Sequence, residues 1–360
     1  MKLNDREIAI LTLNAWEGFS ARTLIGWDSK GLSPEIVLKG NDALWEEAGL
    51  PGKCRMLLDR SREGSWGRRE ADKAFSMGVR LVIWGNGDYP GKLLDLPRPP
   101  AVLYAKGSWP PVPRTDAVVG TRRCSPYGAR VGREVATRLA ESGYCVLSGG
   151  ALGIDGAAHT GALEAGGKTM AILGTGIDVT YPLGHEKLFS RIAEEGTLVS
   201  EFPLSTEARP WRFPRRNRII SALADRLVVV EAPSKSGAIV TARLAMEIGR
   251  EVWVVPGRID EWVCKGSNAL LWDGAHPLVE IEDLVRFDGT LQGTLFKEEG
   301  PGGNSSRILQ ALRLFGDQTV DILASQVKMG AADILVELSR MEAFGLVRRS
   351  GPGRWSAGKS

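Results

Sequence analysis

Two arginine-rich stretches hold the residues best suited to chemistry. Arg209 to Arg218 (RPWRFPRRNR) contains five arginines and no acid, and Thr121 to Arg138 contains five more against the single Glu134. In the first stretch an aromatic ring (Phe213), guanidinium groups (Arg215, Arg216, Arg218) and an amide (Asn217) stand together. That mixture can stack a base, clamp phosphates and hydrogen-bond a base edge. The competing reading is an arginine-rich turn held by acids such as Glu201, Asp225 or Glu231. Arg216, Asn217 and Arg218 are expected to divide between bracing the segment and facing a ligand.

Glycines supply the second signal. Val119-Gly120-Thr121-Arg122, Ser148-Gly149-Gly150-Ala151-Leu152-Gly153 and Leu173-Gly174-Thr175-Gly176 each follow a short apolar run. Glycine reaches positive φ and leaves room for a close approach, so each loop can offer backbone N–H groups to an anion. Tight strand-to-helix turns would use the same residues. Three such loops at one sheet edge, beside Arg122, Arg123 and the 209–218 cluster, favour a phosphate ligand. A dinucleotide fits poorly, because the first loop reads Gly120-Thr121-Arg122-Arg123-Cys124-Ser125 and lacks the later glycines of GxGxxG. There is no GxxxxGK[ST] tract, which argues against a P-loop NTPase.

Catalytic machinery is thin. His159 follows Ile154-Asp155-Gly156-Ala157-Ala158 and reads as a structural histidine, and His185 and His276 share no metal-ligand spacing with it. Cys54, Cys124, Cys145 and Cys264 lie far apart with no CxxC, which fits a reducing compartment. No metal and no cofactor is expected. No apolar run reaches the roughly 18 residues of a membrane span, and no signal peptide opens the chain. A soluble, cytoplasmic protein is the expectation.

The elements that position these residues follow from periodicity. The 360 residues have room for two or three domains, and a net charge of +3 hides two concentrated cationic clusters. Residues 1–80 read as a helical domain, SAM-like or helix-hairpin-helix-like, with Leu50-Pro51-Gly52-Lys53 resembling a hairpin glycine turn. Residues 81–288 alternate continuous apolar runs with helical stretches at 127–142, 154–165 and 237–248. Continuous apolarity suits parallel strands buried on both faces, which gives a doubly wound, Rossmann-like parallel α/β sheet. An extension at 82–107 adds Val82-Ile83-Trp84 and Ala101-Val102-Leu103-Tyr104. Residues 289–305 read as a glycine-rich linker, and 306–360 as a small winged helix with its wing at Leu346–Trp355.

Taken in order, the motifs resemble the DNA-processing protein A (DprA/Smf) family. The matching tracts are Val119–Arg122, Ser148–His159, Leu173–Pro182, Ser200-Glu201, Phe213–Ile220, Val230–Ala232, Ser236–Ala242, Gly249–Val252 and Val255–Gly257. The resemblance implies a non-enzymatic single-stranded DNA-binding protein, usually a homodimer. It implies protection of incoming DNA during natural transformation and loading of the RecA recombinase. It also implies that Gly120, Arg122, Arg123 and the 213–218 segment line the DNA pocket, with Ser148, Gly149 and Gly150 giving backbone donors. The helix bearing Leu270 and Leu271 resembles the family's dimerisation region. His185 departs from the family's usual asparagine, with an effect on loop bracing expected. The alternative function from the residues alone is a nucleoside-phosphate-processing enzyme on a related Rossmann fold, working through a carboxylate such as Asp155 or Glu201.

Overall fold

In a computed structural model, residues 3–16, 19–50, 66–110, 114–286, 308–309, 311–312, 315–327, 329–343, 346–351 and 353–357 are described. They fall into two units, residues 1–288 and 289–360. The hairpin-like turn at 51–53 and the 289–305 linker lie outside the described residues.

The first unit begins with four short helices, α1 (Asp5–Asn14), α2 (Ala21–Asp28), α3 (Pro34–Lys39) and α4 (Asp42–Glu47), then α5 (Trp66–Ser76). Local chemistry starts them: Asn4 and Glu7 form a reciprocal capping box on α1, and Ser33 caps α3 ahead of Pro34. Two antiparallel strands follow, β1 (Val79–Ile83) and β2 (Val102–Gly107). The wound region then runs β3 (Thr115–Val119), α6 (Pro126–Glu141), β4 (Cys145–Ser148), α7 (Ile154–Glu164), β5 (Thr169–Leu173), α8 (Glu186–Glu195) and β6 (Thr197–Ser200). It returns through α9 (Arg212–Leu223), β7 (Arg226–Val229), α10 (Gly237–Glu247), β8 (Glu251–Val254), α11 (Lys265–Trp272), β9 (His276–Pro277) and α12 (Asp283–Arg286).

Strand order is β1-β2-β6-β5-β4-β3-β7-β8-β9. From β6 to β9 every pairing is parallel, whereas β2 lies antiparallel on β6 and β1 antiparallel on β2. The large parallel sheet is thus as expected, and the 82–107 extension adds two antiparallel strands that cover its β6 edge. Strands β3 to β7 are buried at every position, as continuous apolar runs require.

The N-terminal helices are not a separate body. Ile10, Leu11, Leu24, Trp27, Val37 and Trp45 share one buried cluster with Leu81, Ile83, Val102, Tyr104 and Leu173. Glu70 of α5 ties them further, accepting from the Tyr104 hydroxyl at 3.0 Å and the Leu204 amide at 2.8 Å. Burial pushes its carboxyl pKa up. The break expected at residue 80 falls inside β1, which already includes Val79 and Arg80.

In the second unit, β10 (Gln318–Thr319), α13 (Val320–Val327), α14 (Ala331–Ala343), β11 (Val347–Gly351) and β12 (Arg354–Ala357) enclose their own core around Leu323, Ile334, Leu338 and Trp355. Its sheet is antiparallel in the order β10-β12-β11.

His159 on α7 is buried and acts as a brace. The Thr169 hydroxyl donates to the Val146 carbonyl at 2.7 Å, so it accepts from His159 Nδ1 at 2.7 Å. Burial, helped by His185 and Arg216, holds the ring's pKa down to about 3. The unfolded chain takes up that proton near the ordinary value of about 6.5. This contribution is complete above about 6.5 and is lost as pH falls toward about 3, at about 1.4 kcal/mol per pH unit. Unfolding free energies from urea titration at pH 7 and 4.5 should therefore differ less in His159→Gln than in the parent, by about 2–3 kcal/mol. Equal losses in both proteins would place the acid sensitivity elsewhere.

Candidate nucleic-acid interface

The chain leaves β3 toward β4 on one side and β7 toward β8 on the other, although β3 and β7 are neighbours. Diverging crossovers open a crevice at the carboxyl ends of the strands. Here it is a cavity of about 730 Å³. Gly120, Arg122 and Arg123 after β3, Phe213, Arg216 and Asn217 of α9, and Lys235 and Ser236 before α10 all line it.

The loop after β3 is built around Glu231. The Thr121 amide donates to the Glu231 carbonyl at 2.7 Å. The Ser125 amide and hydroxyl donate to its carboxylate at 2.9 and 2.6 Å. Ser125 also caps α6 by accepting from the Gly128 amide at 3.0 Å. A Cβ on Gly128 would stand 2.4 Å from the Glu231 carboxylate, and one on Gly120 would stand 2.4 Å from Ile154. The first helix N-terminus, where a Rossmann protein holds a dinucleotide's pyrophosphate, is thus filled by the chain's own buried carboxylate. Arg122 and Arg123, both exposed, carry the positive charge of this loop instead.

Phe213 is held in a ring stack. The Arg122 guanidinium lies 5.2 Å from its centroid, and Tyr181 lies 5.3 Å away at 37°. Gly174 leaves space for it, since a Cβ there would come within 2.7 Å of the ring. The third glycine loop therefore serves packing. Tyr181 is 44% exposed and presents its ring to the cavity.

The second glycine loop forms the floor. Asp155 accepts from the amides of Gly149 at 3.1 Å and Ala151 at 3.3 Å. Ser148 is buried and donates to the Val118 carbonyl at 2.7 Å. The Arg216 guanidinium donates to the carbonyls of Gly149 and Ile172, and through Nε to Asn217 Oδ1 at 3.0 Å. Asn217 Nδ2 donates to the Gly237 carbonyl at 3.3 Å. Burial draws the Arg216 pKa down to about 10 and pushes the Asp155 carboxyl up, each charge opposing the other's shift. Ser148, Gly149 and Gly150 thus brace the floor, and the Gly149 amide expected to meet DNA is already bonded. His185 joins the same frame, its Nδ1 lying 3.0 Å from the Gly150 carbonyl and its ring edge-on to Phe189.

Helix phase divides the arginine cluster. Phe213, Arg216, Asn217 and Ile220 face the cavity, three and four residues apart. Arg215 and Arg218 lie on another face, where both donate to buried Glu201, Arg215 at 3.2 Å. Arg218 also donates to the Arg98 carbonyl at 2.6 Å. The expectation that 215 and 218 line the pocket is corrected accordingly. Most of the Thr121–Arg138 cluster is paired, Arg130 with Glu134 and Arg138 with Glu141 along α6, and Arg133 with Glu164 of α7. Leu270 is buried in the chain's own core, and Leu271, partly exposed, packs against it. Trp272 beside them is 95% exposed. Tyr181, Lys235, Ser236 and Trp262 belong to the cavity without having been singled out as ligand residues. Ser236 had a signal, since it caps α10 ahead of Gly237. Trp262 had none.

Such a molecule falls in the class of doubly wound α/β proteins that carry a cationic, ring-lined crevice at the switch point. The family model described as DNA recombination-mediator protein A matches residues 80–288, and the chain belongs to that family. Protein Smf of Escherichia coli is 36% identical over 273 residues, 72% of each chain. The X-ray structure of DNA processing protein A from Streptococcus pneumoniae superposes with a TM-score of 0.67 at 29% identity, covering 80% of this chain and 99% of that one. The Helicobacter pylori protein of the same name, whose structure is described for its single-stranded DNA binding mode, gives a TM-score of 0.53 at 31% identity, covering 57% and 94%.

Floor and wall are separable by mutation. Asp155→Ala strips the acceptor from two amides and leaves buried Arg216 unopposed, so unfolding free energy should fall by about 3–5 kcal/mol. Arg122→Ala should change it by no more than about 0.5 kcal/mol. Equal stability of the two variants in urea would contradict this division.

Proposed function

We propose that this chain is a non-enzymatic, single-stranded DNA-binding recombination mediator that protects incoming DNA and loads RecA during natural transformation. The observation that carries the reading is the switch-point crevice, whose dinucleotide position is filled by Glu231 while Arg122, Arg123, Lys235, Tyr181 and Phe213 line its walls. Exposed cations neutralise phosphates and rings stack bases of any identity. Asn217 is oriented by bonds to Arg216 and Gly237 and keeps one N–H and one oxygen lone pair toward the crevice. The single-stranded DNA binding described for the Helicobacter pylori relative supports the same occupant. Asp155 and Glu201, the carboxylates an enzyme would need, are engaged by backbone amides and arginines.

We also read the protein as a cytoplasmic homodimer with no cofactor, pairing through α11, the helix that carries Leu270 and Leu271. The second unit is read as a winged helix. Its helix α14 carries Asp333 and Glu337, which suits a DNA groove poorly. Arg348, Arg349 and Arg354 sit in the β11–β12 hairpin instead.

Anisotropy of a labelled single strand and its duplex at 50 and 200 mM salt tests the reading. The single strand should be preferred, with a log–log salt slope near −3 if about four phosphates are neutralised at roughly −0.7 each. Arg122→Ala should weaken single-strand binding by about 1–2 kcal/mol with unchanged folding. Duplex preference, or release of base from nucleoside monophosphates by the pure protein, would overturn it. Removing residues 305–360 should leave single-strand affinity within tenfold; a greater loss would move the binding site to the second unit.

A further inference from the structure

We infer that Trp262 is a second base-stacking platform, at the end of the crevice opposite Tyr181 and Phe213, so that a single strand crosses the carboxyl edge of the sheet from β5 toward β8. The inference rests on the single-stranded DNA reading above and adds the direction and extent of the bound strand.

Tyr181 follows β5, and Trp262 follows β8, four strand positions away in the sheet. At about 4.8 Å per strand that is roughly 19 Å. This corresponds to about six nucleotides at a stacked rise of roughly 3.4 Å, and fewer if the strand is stretched. Both rings line the same cavity. Between them in sheet order lie the loop with Arg122 and Arg123, after β3, and Lys235 with the α10 N-terminus, after β7. The crevice thus has cations at its middle and rings at both ends. That is the layout a strand needs when its phosphates are clamped and its bases splay.

Trp262 is displayed by design of its neighbours. Val263 and Cys264 are buried, while Trp262 is 56% exposed. Asn268 holds the preceding turn by donating to the Gly257 carbonyl at 2.9 Å and accepting from the Gly257 amide at 3.0 Å. A Cβ on Gly257 would stand 2.3 Å from Cys264 Sγ, so this segment closes tightly on itself. A large ring exposed on a fixed segment costs little entropy when a base stacks on it. Its nearness in sequence to Ile259 and Trp272, also exposed, makes a second copy of this chain the rival occupant.

The experiment measures labelled dT12 binding, together with mass in solution by light scattering, for the parent, Trp262→Ala, Trp262→Phe and Arg122→Ala. Trp262→Ala should weaken dT12 binding roughly five- to 140-fold, the range of one lost base stack, with unchanged mass. Trp262→Phe should recover most of that loss. A dT12 strand carrying 5-iododeoxyuridine should photo-crosslink to residue 262 in the parent. Unchanged affinity in Trp262→Ala would overturn the inference, as would equal weakening in both Trp262 variants or a loss accompanied by a change in mass. Arg122→Ala separates the two levels. If it weakens dT12 while Trp262→Ala does not, only the platform falls; if neither matters, the single-stranded DNA reading falls with it.

Discussion

The buried guanidinium of Arg216 is the contact on which the crevice depends. It joins α9 to the carbonyls of Gly149 and Ile172, at the ends of β4 and β5. Asp155, at the start of α7, holds the amides of the same loop and opposes the arginine's charge. A charge taken from water is tolerated only when its donors are used, and here three of them reach acceptors. The arrangement fixes where α9 lies, and α9 in turn carries Phe213 and Asn217 to the wall. A Cβ on Gly149 would stand 2.7 Å from the guanidinium, so the glycine is there to admit the arginine.

Helix geometry then decides which cations can meet a ligand. Within α9 a step of one residue turns a side chain by about a quarter of the circumference. Arg215 and Arg218 therefore fall on Glu201, while Arg216 between them turns into the floor of the crevice. The positive field of the crevice comes from fewer residues than the composition implies, chiefly Arg122, Arg123, Arg209 and Lys235. Those four sit on loops, exposed and away from the core.

The same logic explains why a Rossmann-like fold here need not hold a dinucleotide. The fold's usual anion position, at the first helix N-terminus, is satisfied from within by Glu231 through Ser125. Attraction for phosphate moves outward to side chains, which suit a flexible polymer better than one pre-shaped cofactor. The antiparallel strands β1 and β2, with the N-terminal helices packed on them, close the β6 edge and leave the crevice edge open.

Much was legible in the residues. Continuous apolar runs located β3 to β8, because strands buried on both faces need no polar alternation. The glycine loops marked the crevice edge, and the absence of GxGxxG already argued against a dinucleotide. The direction of β2 against β6, the sharing of one core between residues before and after 80, and the partners of Ser148, Arg215 and Arg218 were settled by tertiary structure alone. So was the display of Trp262, a lone ring in a loop with no pattern around it. Local sequence sets periodicity and caps, which act within a few residues. Which arginine finds a buried acid, and which ring is left open, depends on groups from about 14 to 120 residues away along the chain, brought together only by the fold.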